Sequence, residues 1–487
     1  MKSMRNIIAL CIITVMLLTI AGTVNAAGPA GTWRSGIACQ NLDPAAEATV
    51  DLFFYPQGSG TSSVTYHAVI PAGGSKNWLT TSSVSMPGFP SSFIGSGVVT
   101  STKPIACNVN TELSGVTGTT GNPYRSGTSS GLDDTQIGST IYIPQAMRDF
   151  FGYASYVAVQ NTSSGAVTVN VKYFNSTTGT EIVAAAESAS IPGQSTKVFY
   201  QADNANLGSF LGSMKISAAD GTTKLAAVAN IYNNMADYTK AALQSFNGVA
   251  TGSSKLLVPR FVRAFYSYNS GTSIQNIGTA PVNIKITFNF AGNVYIYNSS
   301  NPVQPGASLA LFAPNISALA PVDGLPVNSR AGSAIIEGVK VNLADPTPAI
   351  IAIINEDNRG GFDAWRNGQG STYNAFADGT QTQTVFFSQV TRKVIGFISG
   401  GFQVANTTDQ AGTCTISYAG APAANEAGVA LPANGSFLRY APNVANLPDG
   451  FNAAVTVVCT KTIVGISNFQ AIGMYGDSFI QTTGLNR

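Results

Sequence analysis

Residues 157–162 read Val-Ala-Val-Gln-Asn-Thr, and this short stretch decides the fold because versions of it recur along the chain. Related stretches end at Asn41, Asn276 and, in a weaker form, Asn406, at intervals of 115 to 130 residues. Similar segments at a nearly fixed spacing are typical of a repeat architecture. The sequence therefore predicts four divergent copies of one structural unit.

The same series of segments follows each copy of this stretch. A strongly alternating segment comes first, as in 167–173 and 282–288, and period-two alternation is typical of a strand with one buried face. A turn containing proline comes next, then a strand that starts with small residues, then a β-branched run that ends on asparagine. A tyrosine follows in a loop of variable length; the four are Tyr124, Tyr238, Tyr373 and Tyr475.

Many short strands separated by turns predict an all-β protein, a tandem array of four Ig-like β-sandwich units arranged as a rod. Helical periodicity is almost absent from the sequence. The repeat places the units at 27–135, 136–250, 251–380 and 381–487.

The N-terminus has the pattern of a secretory signal peptide over residues 1–26. Lys2 and Arg5 precede an apolar run at 7–20, and small residues before Ala26 predict cleavage after it. The sequence contains no second long apolar stretch, so we expect no membrane span in the mature form. The predicted location is extracellular or at the cell surface.

The low charge of the chain limits its partners. Charged residues make up 10% of the sequence, the net charge is +2 and the mean hydropathy is +0.15. Because nucleic acid recognition relies on dense positive charge, we expect no nucleic acid partner. The composition suits contact with copies of the same chain, with other cell-surface components or with polysaccharide, and a neutral soluble β-protein is the alternative.

Four cysteines remain after signal cleavage, and an even number in an exported chain predicts two disulfides. Four cysteines allow three pairings, and their placement in the repeat favours pairing within units. The predicted bridges are Cys39–Cys107 in the first unit and Cys414–Cys459 in the fourth.

An arginine recurs near the start of units two, three and four. Arg148, Arg263 and Arg392 each lie four residues after the second residue of a short apolar or proline-containing pair. We predict an interdomain strand with one paired or stacked arginine at each junction. An exposed arginine on an edge strand is the alternative.

Several of these segments together suggest a family. The stretch at 157–162, the turn at 191–193, the run at 226–230 and the lead-in at 143–148 resemble the tandem β-sandwich (Ig-like) repeats of exported bacterial cell-surface proteins of the Chloroflexi type. The resemblance covers essentially the whole mature chain. It implies an envelope or extracellular location and a structural or adhesive role, and it carries no catalytic residues to this chain.

Catalytic signatures are absent from the sequence. His67 is the sole histidine and lies in a predicted strand, which favours a structural role. The sequence has no nucleophile-elbow, phosphate-loop or metalloprotease motif, so we predict no catalytic residues, no cofactor and no metal site. Oxygen ligands at 356–358 and Asp363 leave a calcium loop open as an alternative, without the regular ligand spacing of known calcium loops.

One loop aromatic suggests a ligand contact. Trp365 lies with Asp363 and Arg366 in a polar, glycine-rich loop at 360–368, where an indole can stack on a sugar or anchor a protein. The alternative is an indole packed on its own sandwich. Trp33 and Trp78 lie beside strands and are predicted to be core residues.

These observations lead to a non-catalytic, exported structural or adhesive surface protein, with assembly into a layer, sheath or filament. The rival hypothesis is an array of carbohydrate- or protein-binding modules whose contact loop lies in unit three. An enzyme whose acidic residues meet only in the fold is a third alternative.

Overall fold

The computed structural model describes residue 29 and residues 31–233, 237–240, 243–360 and 363–487. The predicted signal peptide lies outside these residues. Strands dominate the described chain, which confirms the predicted all-β array of sandwich units.

The strands fall into four consecutive groups, here named units 1 to 4. Unit 1 contains β1 (Trp33–Asn41), β2 (Ala48–Pro56), β3 (Val64–Ile70), β4 (Ser75–Leu79), β5 (Gly95–Ser101), β6 (Ile105–Leu113) and β7 (Tyr124–Ser130). Unit 2 contains β8 (Thr140–Arg148), β9 (Ala154–Asn161), β10 (Val167–Asn175), β11 (Glu187–Ile191), β12 (Thr196–Tyr200), β13 (Phe210–Ala218), β14 (Leu225–Tyr232) and β15 (Leu243–Asn247).

Units 3 and 4 repeat this order with additions. Unit 3 contains β16 (Lys255–Val262), β17 (Tyr268–Asn276), β18 (Val282–Phe290), β19 (Asn293–Asn298), β20 (Ser308–Phe312), β21 (Ala331–Lys340), β22 (Ile350–Asn358), β23 (Gly370–Asn374) and β24 (Phe376–Ala377). Unit 4 contains β25 (Thr382–Arg392), β26 (Ile398–Asn406), β27 (Gly412–Tyr418), β28 (Glu426–Leu431), β29 (Ser436–Tyr440), β30 (Phe451–Ala471), β31 (Gly476–Asp477), β32 (Ile480–Thr483) and β33 (Leu485–Asn486).

Short 3-10 helices fill the connections of the described chain. They span Val183–Ala185, Gln201–Asp203, Ala205–Leu207, Ala313–Asn315, Ser317–Gly324, Val327–Ser329, Ala364–Arg366, Pro422–Ala424 and Ala441–Asn443.

Each unit is a sandwich of an inner and an outer sheet. The inner sheets have the orders β4-β1-β6-β7, β12-β9-β14-β15, β20-β17-β22-β23 and β29-β26-β30-β32. The outer sheets are β3-β2-β5, β11-β10-β13-β8, β19-β18-β21-β16-β24 and β28-β27-β30-β25-β33, so the long strand β30 serves both sheets of unit 4. In β10, Val169, Val171 and Tyr173 are buried between the sheets, as the alternating sequence predicts.

The repeated asparagine explains why the sequence period is visible. The Asn161 side chain donates to the carbonyls of Gly165 (2.7 Å) and Ile191 (3.0 Å), and its oxygen accepts from the Ser163 N–H (3.0 Å). Asn41, Asn276 and Asn406 tie the same two loops together in their own units. Buried carbonyls need a donor, and an amide can supply one while also accepting, so asparagine recurs here.

Both predicted disulfides are present. Cys39 and Cys107 face each other on β1 and β6, and Cys414 and Cys459 face each other on β27 and β30. The bridges close loops of 68 and 45 residues. On the chain-entropy model each contributes about 4 kcal/mol to stability.

The units close into a ring, so the expected rod is wrong. The last inner strand of each unit, β7, β15, β23 or β32, contacts the next one around a common axis, and β32 contacts β7 again. These four strands are named the axial strands. Their side chains bond across every junction: Ser130 to Thr483 (2.7 Å), Asn247 to the Ser130 carbonyl (3.0 Å), Asn374 to the Asn247 carbonyl (2.8 Å) and Ser371 to the Gln481 N–H (2.8 Å).

Bulges on the first strands of units 2, 3 and 4 place a polar side chain against the next unit of the ring. The register of β8, β16 and β25 shifts at each bulge. At these positions Gln145 bonds Asn355 (3.1 Å), Arg260 bonds Gln403 (3.1 Å) and Gln389 bonds Asn110 (2.9 Å), in each case a residue of the following unit around the ring.

The recurrent arginines are paired, as predicted, but not across junctions. Arg148 donates to the Gly208 carbonyl (2.8 Å), and Arg392 to the Val444 carbonyl (2.7 Å). Arg263 forms an ion pair with Asp323 (2.7 Å). Each arginine thus braces the 3-10 region of its own unit, because that region lies against the end of the unit's first strand.

Candidate functional site

Four loops meet at one end of the axial strands and form a surface named the crown. Their described residues are 114–123, 233 and 237–240, 359–360 and 363–369, and 472–479, the last of which includes the short strand β31, and each connection leads into an axial strand. The Tyr475 N–H donates to the Gly118 carbonyl (2.8 Å), and the Tyr238 ring meets the Tyr475 ring edge-on at 5.2 Å. The crown therefore combines residues from chain segments that are far apart in sequence.

Asp477 lies at the centre of the crown and contacts the other three units. Its carboxylate accepts from the N–H groups of Gly370 (2.9 Å) and Leu243 (3.2 Å), and its carbonyl accepts from the Ser126 hydroxyl (3.1 Å). Burial lowers the pKa of Arg125, and the charge of Asp477 partly offsets this. A buried carboxylate stabilises the surrounding structure when its oxygens accept hydrogen bonds from enough donors.

The three residues predicted to contact a ligand do come together on the crown. The guanidinium carbon of Arg366 lies 4.8 Å from the Trp365 ring centroid and 5.7 Å from that of Tyr266. Asp363 forms an ion pair with Arg366 at 3.2 Å. The indole is half-buried, and the arginine covers one of its faces. A ligand in this loop would therefore meet a prebuilt Trp–Arg–Tyr stack. Trp33 and Trp78 are buried, as predicted.

The oxygen-bearing residues considered for calcium have separate partners. Glu356 pairs with Arg260 (2.6 Å), Asp357 pairs with Arg359 (2.7 Å), and Asp363 pairs with Arg366. Burial raises the pKa of Asp357 although Arg359 opposes the shift. Among the described residues no cluster of three or more acidic, histidine or cysteine side chains could hold a metal ion.

Three strained turns surround the crown. They join the first strands of units 2, 3 and 4 to the following inner strands, and Phe151, Tyr266 and Ile395 occupy their tips with φ of 52°, 48° and 47°. Bulky residues rarely adopt positive φ. Because this conformation recurs at the equivalent position in three units, we infer that it is a regular part of the repeat. Phe151 and Ile395 are 80% and 73% exposed. Sequence reasoning missed these turns, although an apolar residue recurs three positions after each arginine.

His67 lies away from the crown, in the outer-sheet edge strand β3. Its Nδ1 bonds the Asp51 carboxylate on the neighbouring strand β2 at 2.7 Å, and both side chains face solvent. This geometry is that of a cross-strand surface pair.

No family model matches the chain, and no curated protein matches it. A solved structure described as a Ca²⁺-stabilised adhesin that helps an Antarctic bacterium reach out and bind ice aligns at 12% identity. It covers 98% of this chain and 100% of that one with a TM-score of 0.11. A structure of infectious bursal disease virus, Gx strain, aligns at 8% identity, covers 94% and 87%, and has a TM-score of 0.12. Likenesses this weak carry no argument. Within the described part of the chain, no helix is long and apolar enough to cross a membrane.

Proposed function

We propose that this chain is a non-catalytic, exported cell-surface protein with a structural or adhesive role, and that it associates with copies of itself. Two cross-strand disulfides fit an oxidising compartment. The low charge weakens the repulsion that otherwise keeps exported proteins apart.

The observation that carries the proposal is the edge strand β19, which reads Asn-Val-Tyr-Ile-Tyr-Asn. Tyr295 and Tyr297 pack on the core of unit 3, whereas Val294 and Ile296 are 58% and 50% exposed. The strand pairs on one side with β18 and is the outer edge of its sheet. A β-branched, uncharged edge strand without proline is a ready template for another strand.

The equivalent edges of the other units are protected against such pairing. β3 carries His67, β11 begins with Glu187, and β28 begins with Glu426. Charged or strongly polar side chains on edge strands discourage strand addition, since pairing would desolvate them. Unit 3 therefore supplies the adhesive edge of the molecule.

Pairing of β19 with β19 of a second copy gives a two-fold, antiparallel dimer. A layer, sheath or filament needs a second contact, and the exposed crown turns with Phe151 and Ile395 supply it. Copies of this chain would pair with each other through β19 at the periphery of the ring and make their second contact through the crown.

Replacing Ile296 by lysine is expected to abolish self-association, because lysine on an edge strand disfavours strand addition and antiparallel pairing of two copies would bring like charges onto the same face of the joined sheet. Sedimentation of the mature protein, residues 27–487, should show dimers or larger species, whereas Ile296→Lys should remain monomeric. Raising the salt concentration should change the wild-type result little, since few charges take part.

Ser190→Lys is the matched control, since Ser190 is an exposed residue on the equivalent edge β11. It should associate like the wild type. A wild-type protein that stays monomeric at high concentration, or an Ile296→Lys variant that associates normally, would refute strand addition at β19.

The second candidate function is ligand binding by the crown loop of unit 3. The stacked Trp365, Arg366 and Tyr266 favour it, because aromatic and arginine side chains dominate protein and sugar contacts. A monomeric protein that loses binding to a soluble glycan or protein on Trp365→Ala would favour this function over self-association.

A further inference from the structure

The outer sheet of unit 1 differs from those of the other units at one edge. In units 2, 3 and 4 the first strand, β8, β16 or β25, lies beside β13, β21 or β30. The equivalent of these last strands in unit 1 is β5, which pairs with β2 on one side. No strand of the described chain pairs with its other side. The described part of unit 1 therefore lacks the counterpart of a first strand.

The repeat shows which segment would correspond to the missing strand. β8 has 9 residues and ends 13 residues before Asn161, so the same spacing before Asn41 assigns 20–28 to this position. The cleavage predicted after Ala26 removes most of that segment. Residues 27–32 read Ala-Gly-Pro-Ala-Gly-Thr and have no alternating apolar side chains. The mature chain therefore has no segment of its own before β1 that could serve as a first strand.

The open side of β5 carries backbone groups that need partners. The Thr102 N–H donates to the Thr49 carbonyl (3.0 Å) just beyond the paired ends of β5 and β2. Because hydrogen bonds alternate in direction along an antiparallel pair, the N–H groups of Gly97, Val99 and Ser101 point away from β2. An incoming strand would find three donors in a row at this edge.

The other units show how such a group is satisfied. The Ala218 N–H of unit 2, which corresponds to the Ser101 N–H, donates to the Ser139 carbonyl (2.9 Å) directly before β8. In unit 3 the Gly338 N–H donates to the Ser254 carbonyl (2.8 Å) directly before β16. β5 is buried in the full-length chain, from which the predicted cleavage removes residues 1–26. Backbone donors without acceptors are costly, so this edge calls for an added strand.

The first strands of units 2, 3 and 4 define which strand fits. Each has apolar side chains at the first, third and sixth of six successive positions, buried in the core of its own unit, and a polar residue at the fifth that contacts the next unit. The buried sets are Ile141, Ile143 and Ala146; Leu256, Val258 and Phe261; and Val385, Phe387 and Val390. Because these strands are already paired within their own units, the occupant comes from a different polypeptide.

We propose that the open edge of β5 in the mature protein binds an extended segment of a second, different exported protein. The segment runs antiparallel to β5, packs its first, third and sixth side chains on the core of unit 1 and presents a polar fifth residue to unit 2. Main-chain hydrogen bonds supply affinity, and the alternate side chains supply specificity. The site is separate from β19, so it does not depend on the proposed self-association.

A labelled synthetic peptide of residues 139–148 is the probe, because it contains the first strand of unit 2. Fluorescence anisotropy measures its binding to the mature protein carrying Ile296→Lys, which removes β19 as a competing edge. The peptide should bind saturably. A peptide with aspartate in place of Ile141 and Ile143 should bind at least about tenfold more weakly, since its charges would enter the core.

Gly97→Pro should also weaken peptide binding at least about tenfold, because proline removes one of the outward N–H groups and obstructs the edge. Gly97→Ala is the matched control, since it keeps the N–H and its added Cβ would lie 3.6 Å from the Phe54 ring, an ordinary contact. This variant should bind the peptide like the parent protein.

Thermal unfolding shows whether each variant is folded. If Gly97→Pro does not fold, a chain in which a copy of residues 140–148 directly precedes Pro29 takes its place, and this grafted strand should abolish peptide binding. The proposal is overturned if the peptide does not bind saturably, if the aspartate peptide binds equally well, or if binding survives in folded Gly97→Pro or in the grafted chain. It is also overturned if the Ile296→Lys protein self-associates and Gly97→Pro abolishes this, because the occupant is then a second copy.

Discussion

Replacing Glu356 by alanine is expected to lower the free energy of unfolding by about 3–5 kcal/mol, the usual cost of breaking a buried ion pair. Glu356 binds Arg260 through two bonds of 2.6 and 2.8 Å, and the two side chains are 1% and 3% exposed. Burial has the largest single effect and lowers the pKa of Arg260, but the charge and the hydrogen bond of Glu356, with smaller contributions from Tyr373 and Tyr268, together raise it. The variant therefore leaves a buried, uncompensated cation.

Urea denaturation measures this effect, with the exposed Glu47→Ala as control. The double variant Arg260→Met, Glu356→Leu should recover most of the loss, since well-packed apolar residues can replace a buried ion pair. The pair also bonds Gln403 and Gln481 of unit 4, so the single variant should loosen the contact between units 3 and 4. A loss no larger than that of Glu47→Ala would contradict this account of the pair.

Replacing Asp477 by alanine is expected to cost about 3–5 kcal/mol and to open the crown. The variant leaves the Gly370 and Leu243 N–H groups without their acceptor and removes the negative charge that offsets the burial of Arg125. Hydrogen exchange should accelerate at these two amides, which belong to units 3 and 2.

Asp134→Ala is the matched control, because Asp134 is exposed in the connection between units 1 and 2. Asp477→Asn should have an intermediate effect, since its amide keeps one acceptor oxygen but no charge. Unchanged exchange at both amides in Asp477→Ala would show that the carboxylate does not hold the crown together.

The fold of each unit could be predicted because its determinants are local. Asn161 and its three equivalents bond the same two turns in each unit. Because both turns are close to the asparagine in sequence, the motif recurs once per unit and is visible in the sequence. The alternation of apolar and polar residues in β10 and β18 similarly reflects one buried face and one more exposed face. The cysteine pairing followed from the same repeat, because both bridges join strands within one unit.

Ring closure could not be predicted from the sequence, because its contacts have no period. Ser130 and Thr483 are 353 residues apart, and neither lies in a motif that marks a partner. The same holds for Asp477, because its partners in the other three units are distant in sequence. The sequence contained a weak indication that Arg260 contacts the next unit, since it occupies the same repeat position as Gln145 and Gln389.

The loop residues Trp365, Arg366 and Asp363 contact one another because they are neighbours in sequence, and their role in ligand contact stays a prediction. Their orientation was not predictable, because the arginine that covers the indole also contacts Tyr266 from a different strand connection. The calcium alternative depended on acidic residues whose basic partners, such as Arg260, are distant in sequence.

Small-angle X-ray scattering tests the closed ring, on which the crown and the outward position of β19 depend. The sample should be the mature protein carrying Ile296→Lys, so that self-association does not enlarge the particle. The ring predicts a radius of gyration of about 23 Å, the value for a compact chain of this length. Four units in a line would give a value about twice as large. That larger value would contradict the account.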